Sequence, residues 1–474
     1  MMNFFNNVPL LILVIYVVAL GLLSWMASRR IKKEGGGMLS YLLAGRNLPT
    51  PLVAAMLTGL AVGGASTVGV AEQAYRVGIS AGWYNGAWGA GGILVGIFLA
   101  GHFRRMSVRT VPEIMGRLYG ERVRVLGACI QLLIMMTITS LQYVAGGAIL
   151  KALLPDVFSF TGGMVASAAI FIFITVVGGY WASGLTNLLN VIVIYGGIIL
   201  SLFASVKSSG GMAQVLQTLP KDGTWFDPIA GIGWGMMAGW MFVMITQTCS
   251  AQGAVQIALA ASDEKTARRG FIWGGILTFP VGFLCAIFGI IAAARFPGLE
   301  NPALALPSIV TTISPLIGGI FLAALWAADV STAIALLMGS SMLFVEDVWK
   351  RLAPKSAESI GELRMSRIGV LFTSACSFVL ALTAVGILKT MTSGLALTTS
   401  FTLLLLANIY FPSVCKRASG VWVLSASLAA WILWTYVPST RIGPHLIYVE
   451  WILCIAVFAV TTILGKEPAG KLEE

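Results

Sequence analysis

An apolar stretch that is about long enough to cross a bilayer carries three polar side chains near its middle. The stretch covers residues 321–350, and Trp326–Thr332 reads WAADVST. In a helix, Ala328, Ser331 and Thr332 stand at positions i, i+3 and i+4 and therefore share one face. Two hydroxyl oxygens with nearby backbone carbonyls suit a hard, weakly held cation such as sodium. The alternative is that each hydroxyl bonds to a carbonyl of its own helix, as Ser and Thr often do in membranes.

Asp329 lies one residue from that face, at a depth where a charged side chain is costly unless it has a function or a partner. Three roles are open for it. Its carboxylate adds negative charge to an ion site, accepts a proton, or pairs with a basic or hydroxyl group on a neighbouring helix.

The composition is that of a membrane protein. Of the 474 residues, 58% are hydrophobic and only 10% are charged, whereas about a quarter of the residues in soluble domains are charged. No hydrophilic stretch is long enough for a separate soluble domain, so we predict a single all-α transmembrane domain over residues 1–474. Apolar windows of about 20 residues give thirteen spans, at residues 8–27, 52–74, 79–101, 124–148, 160–180, 185–206, 231–258, 271–294, 316–345, 366–387, 391–412, 419–437 and 445–464.

The net charge of +11 marks the orientation of the chain and does not indicate a nucleic-acid partner. When the loops between the spans are placed on alternate sides, 23 of the 30 Lys and Arg residues fall on one side and 7 on the other. Basic residues favour the cytoplasmic side, so the N-terminus is predicted outside and the C-terminus inside. The first span has no basic leader and no clear cleavage site, so we expect it to be retained.

The sequence offers little from which to build a catalytic or metal centre of the usual kind. Its six cysteines form no Cys-x-x-Cys pair, and its two histidines, His102 and His445, lie near span ends. No intramembrane cluster of His, Asp and Glu is visible in the sequence. We therefore expect neither an enzyme nor an organic cofactor.

A second irregularity lies in the span at residues 52–74, where Gly59–Thr67 reads GLAVGGAST. Glycine weakens helices, and interrupted spans in transporters expose carbonyls that coordinate ions or substrate. Close packing through small residues is the alternative.

Several motifs resemble those of the sodium:solute symporter family, and they occur in the family's order across residues 41–350. They are YLLAGRNLP at 41–49, the small-residue run ending in AYRVG at 74–78, TVPEIMGRLYG at 110–120, GGYWASGLTN at 178–187, the stretch from Gln252 to Arg268, and Ala328–Thr332. The ordered set is more specific than any single motif.

The resemblance implies a leucine-transporter-type fold, in which five helices are followed by five more in inverted orientation. By that resemblance the chain divides into an extra N-terminal helix with its inner loop (1–50), a first repeat (51–206), a second repeat (231–412), and two C-terminal helices with a short tail (413–474). The family's shared sodium site lies between the first and eighth core helices. An ungapped alignment puts it at Gly59, Val62, Ala328, Ser331 and Thr332.

Departures from the family pattern imply a single coupling ion. Thr186-Asn187 stands where the family usually has Thr-Asp, and Ile334 and Ala335 stand where it often has Asp or Ser. Some relatives use these positions for a second sodium ion. Asp329 is not a residue that the family normally has at its position, so the resemblance does not explain it.

The resemblance also implies a central solute pocket lined by the broken helices. The polar and aromatic side chains expected there are those of Ser66, Thr67, Asn85, Trp88, Gln142, Gln247 and Gln252. No Lys or Arg lies near the middle of these spans, so an anionic solute would need sodium, backbone N–H groups or Arg76 near the outer mouth. The acidic residue that sugar-transporting relatives use is Asn85 here. Amides and hydroxyls suit a small zwitterion, a monocarboxylate or a neutral polar solute, and helix packing is the alternative for each side chain.

We therefore predict a secondary active transporter of the cell membrane, in which sodium entry drives the uptake of a small organic solute such as an amino acid or a monocarboxylate. A proton-coupled symporter that uses Asp329 and a membrane sensor without transport are the alternatives. A channel fits less well, because no repeated selectivity loop is visible. The expected partners are the solute and the lipid bilayer, without nucleic acid and without an obligatory protein partner.

Overall fold

The computed structural model describes residues 2–33, 35, 37–106, 108–221, 223–300, 302–310, 312–355, 360–382 and 387–471. Within these ranges the chain is helical, and extended pairing is limited to two isolated bridges. The longer helices are α1 (Met2–Lys33), α2 (Thr50–Ala61), α3 (Val70–Val77), α4 (Trp83–Phe98), α5 (Glu121–Leu153), α6 (Phe160–Ser208), α7 (Gly233–Ser250), α8 (Gln252–Ala260), α9 (Glu264–Arg295), α10 (Pro315–Leu343), α11 (Glu362–Ala381), α12 (Ile387–Ala396), α13 (Thr398–Tyr410), α14 (Arg417–Tyr436) and α15 (Leu446–Leu464). The predicted all-helical class is confirmed.

The helices are long and apolar enough for a protein that crosses a membrane many times. Among the described residues nine helices pass that test, and ten do so if the bent pair Thr50–Ala61 and Ala65–Phe98, which turns by 59°, counts as one span. Two of the predicted spans, 160–180 and 185–206, both lie in α6, which is interrupted at Gly179 near the boundary between them, and another is divided between α7 and α8. The count of thirteen spans and their orientation stay predictions.

The first break lies between α2 and α3. Val62 leaves the helical conformation (φ −100°, ψ 91°), and after Gly63 and Gly64 the chain resumes as a π-helical turn, Ala65–Gly69. The last carbonyls of a helix have no intrahelical N–H partner. In a membrane such carbonyls must find other hydrogen-bond donors or a ligand. The helices that pack against this break must therefore supply those donors or help to bind that ligand.

The second break, at Ala251 between α7 and α8, is held by one side chain. Ala251 is extended (φ −71°, ψ 134°). Gln131 of α5 donates its Nε2 to the carbonyl of Ser250 at 2.9 Å and accepts the N–H of Gln252 at 3.2 Å on its Oε1. The amide thus pairs with a backbone acceptor and a backbone donor, one on each side of the break.

Ion pairs join α5 and α10 at the ends that the charge pattern predicts to lie inside. A π-helical turn, Phe344–Trp349, continues α10 and carries Asp347, which accepts from Arg124 of α5 at 2.7 Å. Glu346 in the same turn pairs with Arg109 at 2.7 Å. The Asp347 side chain is fully buried, and removing one partner of a buried pair leaves an uncompensated charge.

A sharp change of direction inside α6 depends on Gly179. Its backbone angles (φ 55°, ψ −150°) interrupt the helix, and they fall in a region that is nearly restricted to glycine. A Cβ at this position would lie 2.7 Å from the ring of Tyr41 and 2.8 Å from its carbonyl oxygen. Both the conformation and the close approach therefore require glycine.

We predict that Gly179→Ala lowers the apparent unfolding temperature of the purified protein in detergent. The strained conformation alone is expected to cost roughly 1–3 kcal/mol. Gly196→Ala in the same helix is the control, because nothing lies within 4 Å of its Cβ position and alanine favours a helix. Equal unfolding temperatures for the two variants would contradict this account of the bend.

Candidate functional site

Five oxygens from two helices meet at the first break. The Thr332 hydroxyl donates to the carbonyl of Gly59 at 2.6 Å and lies 3.2 Å from the carbonyl oxygens of Val62 and Ala328. The Ser331 hydroxyl donates to the carbonyl of Ala328 at 2.6 Å and lies 3.3 Å from that of Gly59. We call these atoms the five-oxygen cluster. They belong to the five residues that the alignment puts at the sodium site.

The cluster combines the two arrangements that the sequence left open. Ser331 and Thr332 both contact the carbonyl of Ala328 in their own helix, as back-bonding hydroxyls do. Both also reach Gly59 across the helix interface. The back-bonds hold the two hydroxyls in place, and the contacts with Gly59 bring them to the carbonyls that the break exposes.

Asn187 is a neighbour of the cluster whose role the sequence did not reveal. Its Nδ2 donates to the carbonyl of Ser183 at 2.6 Å. Its buried Oδ1 has no partner among the described residues and lies 1.7 Å from the point where a Cβ of Gly59 would stand. The sequence showed only a lost carboxylate at this position. The structure instead brings an amide oxygen against the residue on which the cluster is centred.

Asp329 lies beside the break without joining the cluster. It is fully buried, and neither carboxylate oxygen has a hydrogen-bond partner in the described part of the chain. The carboxylate fits between two glycines. A Cβ added to Gly64 would lie 3.4 Å from Asp329 Oδ1, and a Cβ added to Gly146 would lie 2.8 Å from Asp329 Oδ2. The Ser167 hydroxyl lies 2.6 Å from the Cβ position of Gly146 and accepts the indole N–H of Trp326 at 3.1 Å. Of the third role, pairing with a basic or hydroxyl group, the basic form has no partner among the described residues.

Gln142 is the solute candidate that contacts the first break. Its Oε1 accepts the N–H of Gly64 at 3.3 Å. The missing Cβ of Gly63 would lie 2.7 Å from that Oε1 and 2.6 Å from Thr332 Oγ1. A single glycine therefore lies between the amide and the cluster, and a larger residue would collide with both.

Ser66 and Thr67 lie in the π-helical turn that follows the break. The Ser66 hydroxyl donates to the carbonyl of Ala61, and that of Thr67 donates to the carbonyl of Gly63 at 3.0 Å. Both side chains are buried. The Ser66 hydroxyl thus bonds to a carbonyl just before the break, and the Thr67 hydroxyl joins the Ser66 N–H on the carbonyl of Gly63.

Asn85 and Trp88, one turn apart on α4, expose unsatisfied polar groups to the interior. Both amide atoms of Asn85 and the indole N–H of Trp88 are buried without a partner among the described residues. Such groups are rare in folded proteins, and the Asn85 amide oxygen lies 3.0 Å from the point where a Cβ of Gly282 in α9 would stand. The neighbouring Tyr84 donates its hydroxyl to the sulfur of Met391 at 3.0 Å, and its ring packs edge-on against Trp240, with centroids 5.9 Å apart.

Gln247 and Gln252 flank the second break and have different surroundings. Gln247 is buried, and its Nε2 donates to the hydroxyl of Thr248 at 3.2 Å. Gln252 accepts the N–H of Val111 at 2.9 Å on its Oε1. Val111 begins the short helix Val111–Tyr119 in the loop predicted to lie inside. The side chain of Gln252 therefore ties the second break to that loop.

Two broken helices in an all-helical membrane bundle, with an oxygen cluster at one break, define the class of broken-helix transporters. The sequence profile of the sodium:solute symporter family matches residues 41–417. The chain therefore belongs to the sodium:solute symporter family, and it is a multi-pass integral protein of the cell membrane.

Three known proteins illustrate the relationship. Human sodium/glucose cotransporter 4 is 25% identical over 391 residues, which cover 73% of this chain but only 56% of that protein. The sodium/pantothenate symporter of Haemophilus influenzae is 25% identical over 490 residues, which cover 99% of this chain and 97% of the relative. A solved structure of a Na+-coupled sialic acid symporter, in a substrate-bound outward-open state, is 19% identical with a TM-score of 0.81 and covers 99% of this chain and 100% of its own. That likeness shows the fold.

We predict that Gly59→Ala lowers the unfolding temperature, because the added methyl group would overlap the Asn187 amide. The double variant Gly59→Ala/Asn187→Ala should recover part of the loss, since the second substitution removes the atoms that collide. A double-mutant cycle in detergent measures this coupling. Additive effects of the two substitutions would show that Asn187 does not press against Gly59.

Proposed function

We propose that this protein is a secondary active transporter that couples sodium entry to the inward movement of a small organic solute by alternating access. One sodium ion binds in each cycle, at the five-oxygen cluster. The observation that carries the proposal is the convergence of Ser331, Thr332 and Ala328 of α10 on Gly59 and Val62 of the broken helix.

The charge of the cluster favours a monovalent cation. Its ligands are two hydroxyls and three carbonyls, so none of the five oxygens is formally charged. Protein sites for calcium or magnesium usually include carboxylates. A neutral set of buried oxygens supports binding of an ion that carries one charge and is held weakly enough to leave again.

Sodium would couple to movement because it joins two helices. When the ion is bound, the hydroxyls of Ser331 and Thr332 direct lone pairs at it. When it leaves, the contact between α10 and the break falls back to hydroxyl–carbonyl hydrogen bonds, each worth about 1 kcal/mol. Ion release therefore makes it easier for the two helices to separate.

We propose that the solute binds between the two breaks, in a bundle of two five-helix repeats at residues 51–206 and 231–412 with the N-terminus outside. Gln142 couples the solute to the ion, because one glycine separates its amide from Thr332. The other proposed contacts are Ser66, Thr67, Asn85, Trp88, Gln247 and Gln252. The bilayer and the solute are the partners, and the function involves neither catalysis nor an organic cofactor.

We predict that Thr332→Ala weakens sodium binding by about tenfold or more, because it removes one of the five oxygens of the cluster, the one that contacts three carbonyls. The sodium dependence of thermal unfolding measures this without knowledge of the solute. Ser340→Ala is the control, because it removes a buried hydroxyl from the same helix that bonds to Leu337 and Thr373 instead. If Ser331→Ala/Thr332→Ala kept the wild-type sodium dependence, the cluster would not be the sodium site.

If Asp329 has the role of adding negative charge to the ion site, Asp329→Asn is expected to weaken sodium binding, because it removes that charge beside the cluster. Side chains three residues apart on a helix are about 5–6 Å apart at Cβ. At an effective dielectric constant of about 20, one charge at that distance contributes roughly 3 kcal/mol. Glu450→Gln, at a fully buried carboxyl group on α15, is the matched control. An unchanged sodium affinity would remove Asp329 from the ion site.

Solute uptake into proteoliposomes tests the whole proposal. An inward sodium gradient should drive uptake of a transported solute, and its removal should abolish accumulation. Uptake driven by a pH gradient alone, with no response to sodium, would support the proton-coupled alternative instead.

A further inference from the structure

A cavity of about 420 Å³ lies apart from the five-oxygen cluster, at the end of the bundle predicted to face outside. Its wall includes residues of α3, α7, α12 and the segment that joins α14 to α15, with Thr392 and Ser393 contributed by α12. Gln73 belongs to α3, Trp240 belongs to α7, and Arg441 lies in the connection between α14 and α15. The volume is in the range of small-molecule sites in proteins, about 300–1,000 Å³.

Arg441 is a fixed cation in this wall. Its Nε donates to the carbonyl of Trp434 at 2.9 Å and one terminal nitrogen donates to that of Thr435 at 3.0 Å, so the end of α14 holds the guanidinium. Its five N–H donors are thus only partly used. No carboxylate pairs with it in the described part of the chain. A guanidinium held in this way is prepared for an anion, and its planar donors match a carboxylate.

Besides Arg441 and the polar side chains of Gln73, Thr392, Ser393 and His445, the wall is apolar. Trp240 and Trp434 supply aromatic surface, and Met236, Pro444 and Leu446 supply aliphatic surface. Bare inorganic anions gain nothing from such surroundings. A ligand that carries a carboxylate on an apolar body would contact both the cation and the apolar wall.

The cavity adjoins the interior through Trp240. This indole lines the cavity, and its ring packs against Tyr84, which bonds to Met391. Asn85 and Trp88, with their unpartnered groups, follow Tyr84 along α4 toward the interior. The contact between Trp240 and Tyr84 therefore links the wall of this cavity to the part of α4 that carries two of the proposed solute contacts.

We propose that this cavity is an outer binding site for solutes that bear a carboxylate on an apolar body, and that Arg441 recognises the carboxylate before the solute passes Trp240. The inference rests on the proposed function, because it treats the ligand as the transported class. It supplies the cation that the middle of the spans lacks, so an anionic solute meets its positive partner at the entrance. Inside, the solute would depend on sodium and on amides.

Calorimetric titration of the purified full-length protein in sodium-free buffer tests the proposal. The probes are phenylacetate and hexanoate, with their uncharged amides as shape-matched controls. At least one carboxylate should bind, and its amide should bind about tenfold more weakly or worse. Arg441→Gln should weaken carboxylate binding to a similar extent, and Arg441→Lys should weaken it less. Arg295→Gln removes a cation on the same predicted side that bonds to Ser208 and does not line the cavity, so it should leave binding unchanged.

The proposal is overturned if neither carboxylate binds at concentrations up to about 10 mM, if the amides bind as well as the acids, or if Arg441→Gln binds like the wild type. The comparison of acid with amide uses the wild-type protein, so it decides the question even if the Arg441 variants do not fold. Carboxylate binding without any sodium response would overturn the proposed coupling and leave this site standing. A sodium response without carboxylate binding would overturn this outer site and leave the proposed coupling standing.

Discussion

A carbonyl that is freed inside a bilayer has no water to bond to, and this structure is arranged around that constraint. The chain stops being helical at Val62, so the carbonyls at the end of α2 lose their intrahelical donors. The Ser331 and Thr332 hydroxyls from α10 meet them. The break and its neighbour helix are therefore complementary, and a substitution on either side leaves the other with unsatisfied polar groups.

At the second break the freed backbone groups are satisfied by a side-chain amide and not by hydroxyls. Gln131 satisfies a carbonyl and an N–H there with one amide, so that break needs no ion for its stability. The first break is completed by hydroxyls, each of which has one proton for several carbonyls. A cation fits the electron-rich first break better than the balanced second one. This asymmetry agrees with a single coupling ion.

The residues of the cluster could be predicted from the sequence because their signals are local. Hydroxyls at i+3 and i+4 share a helix face, and a run of glycine and alanine weakens a helix. The family motifs then paired the two stretches. The position of Asn187 against Gly59 could not be predicted in this way, because it depends on how two distant helices approach each other. The same holds for the clamp that Gln131 forms at the second break and for the cavity beside Arg441.

Helix boundaries were harder to predict from hydropathy than helix existence. Apolar windows placed a boundary near Gly179, between the spans predicted at 160–180 and 185–206, but they could not show that a single glycine interrupts the helix there. They also cannot register a break such as that at Ala251, where both flanks stay apolar. For Asp329, the sequence alone showed that the residue is unusual but not how it is accommodated. The sequence revealed its cost in a membrane, and the structure shows how the glycines make room for it.

Equilibrium binding of radioactive sodium to the purified protein tests the central claim most directly, because it needs neither the solute nor transport. The account predicts one ion for each polypeptide, and it predicts that this ion is lost in the Ser331→Ala/Thr332→Ala variant although the protein remains folded. Two ions for each polypeptide, or undiminished binding in that variant, would contradict it.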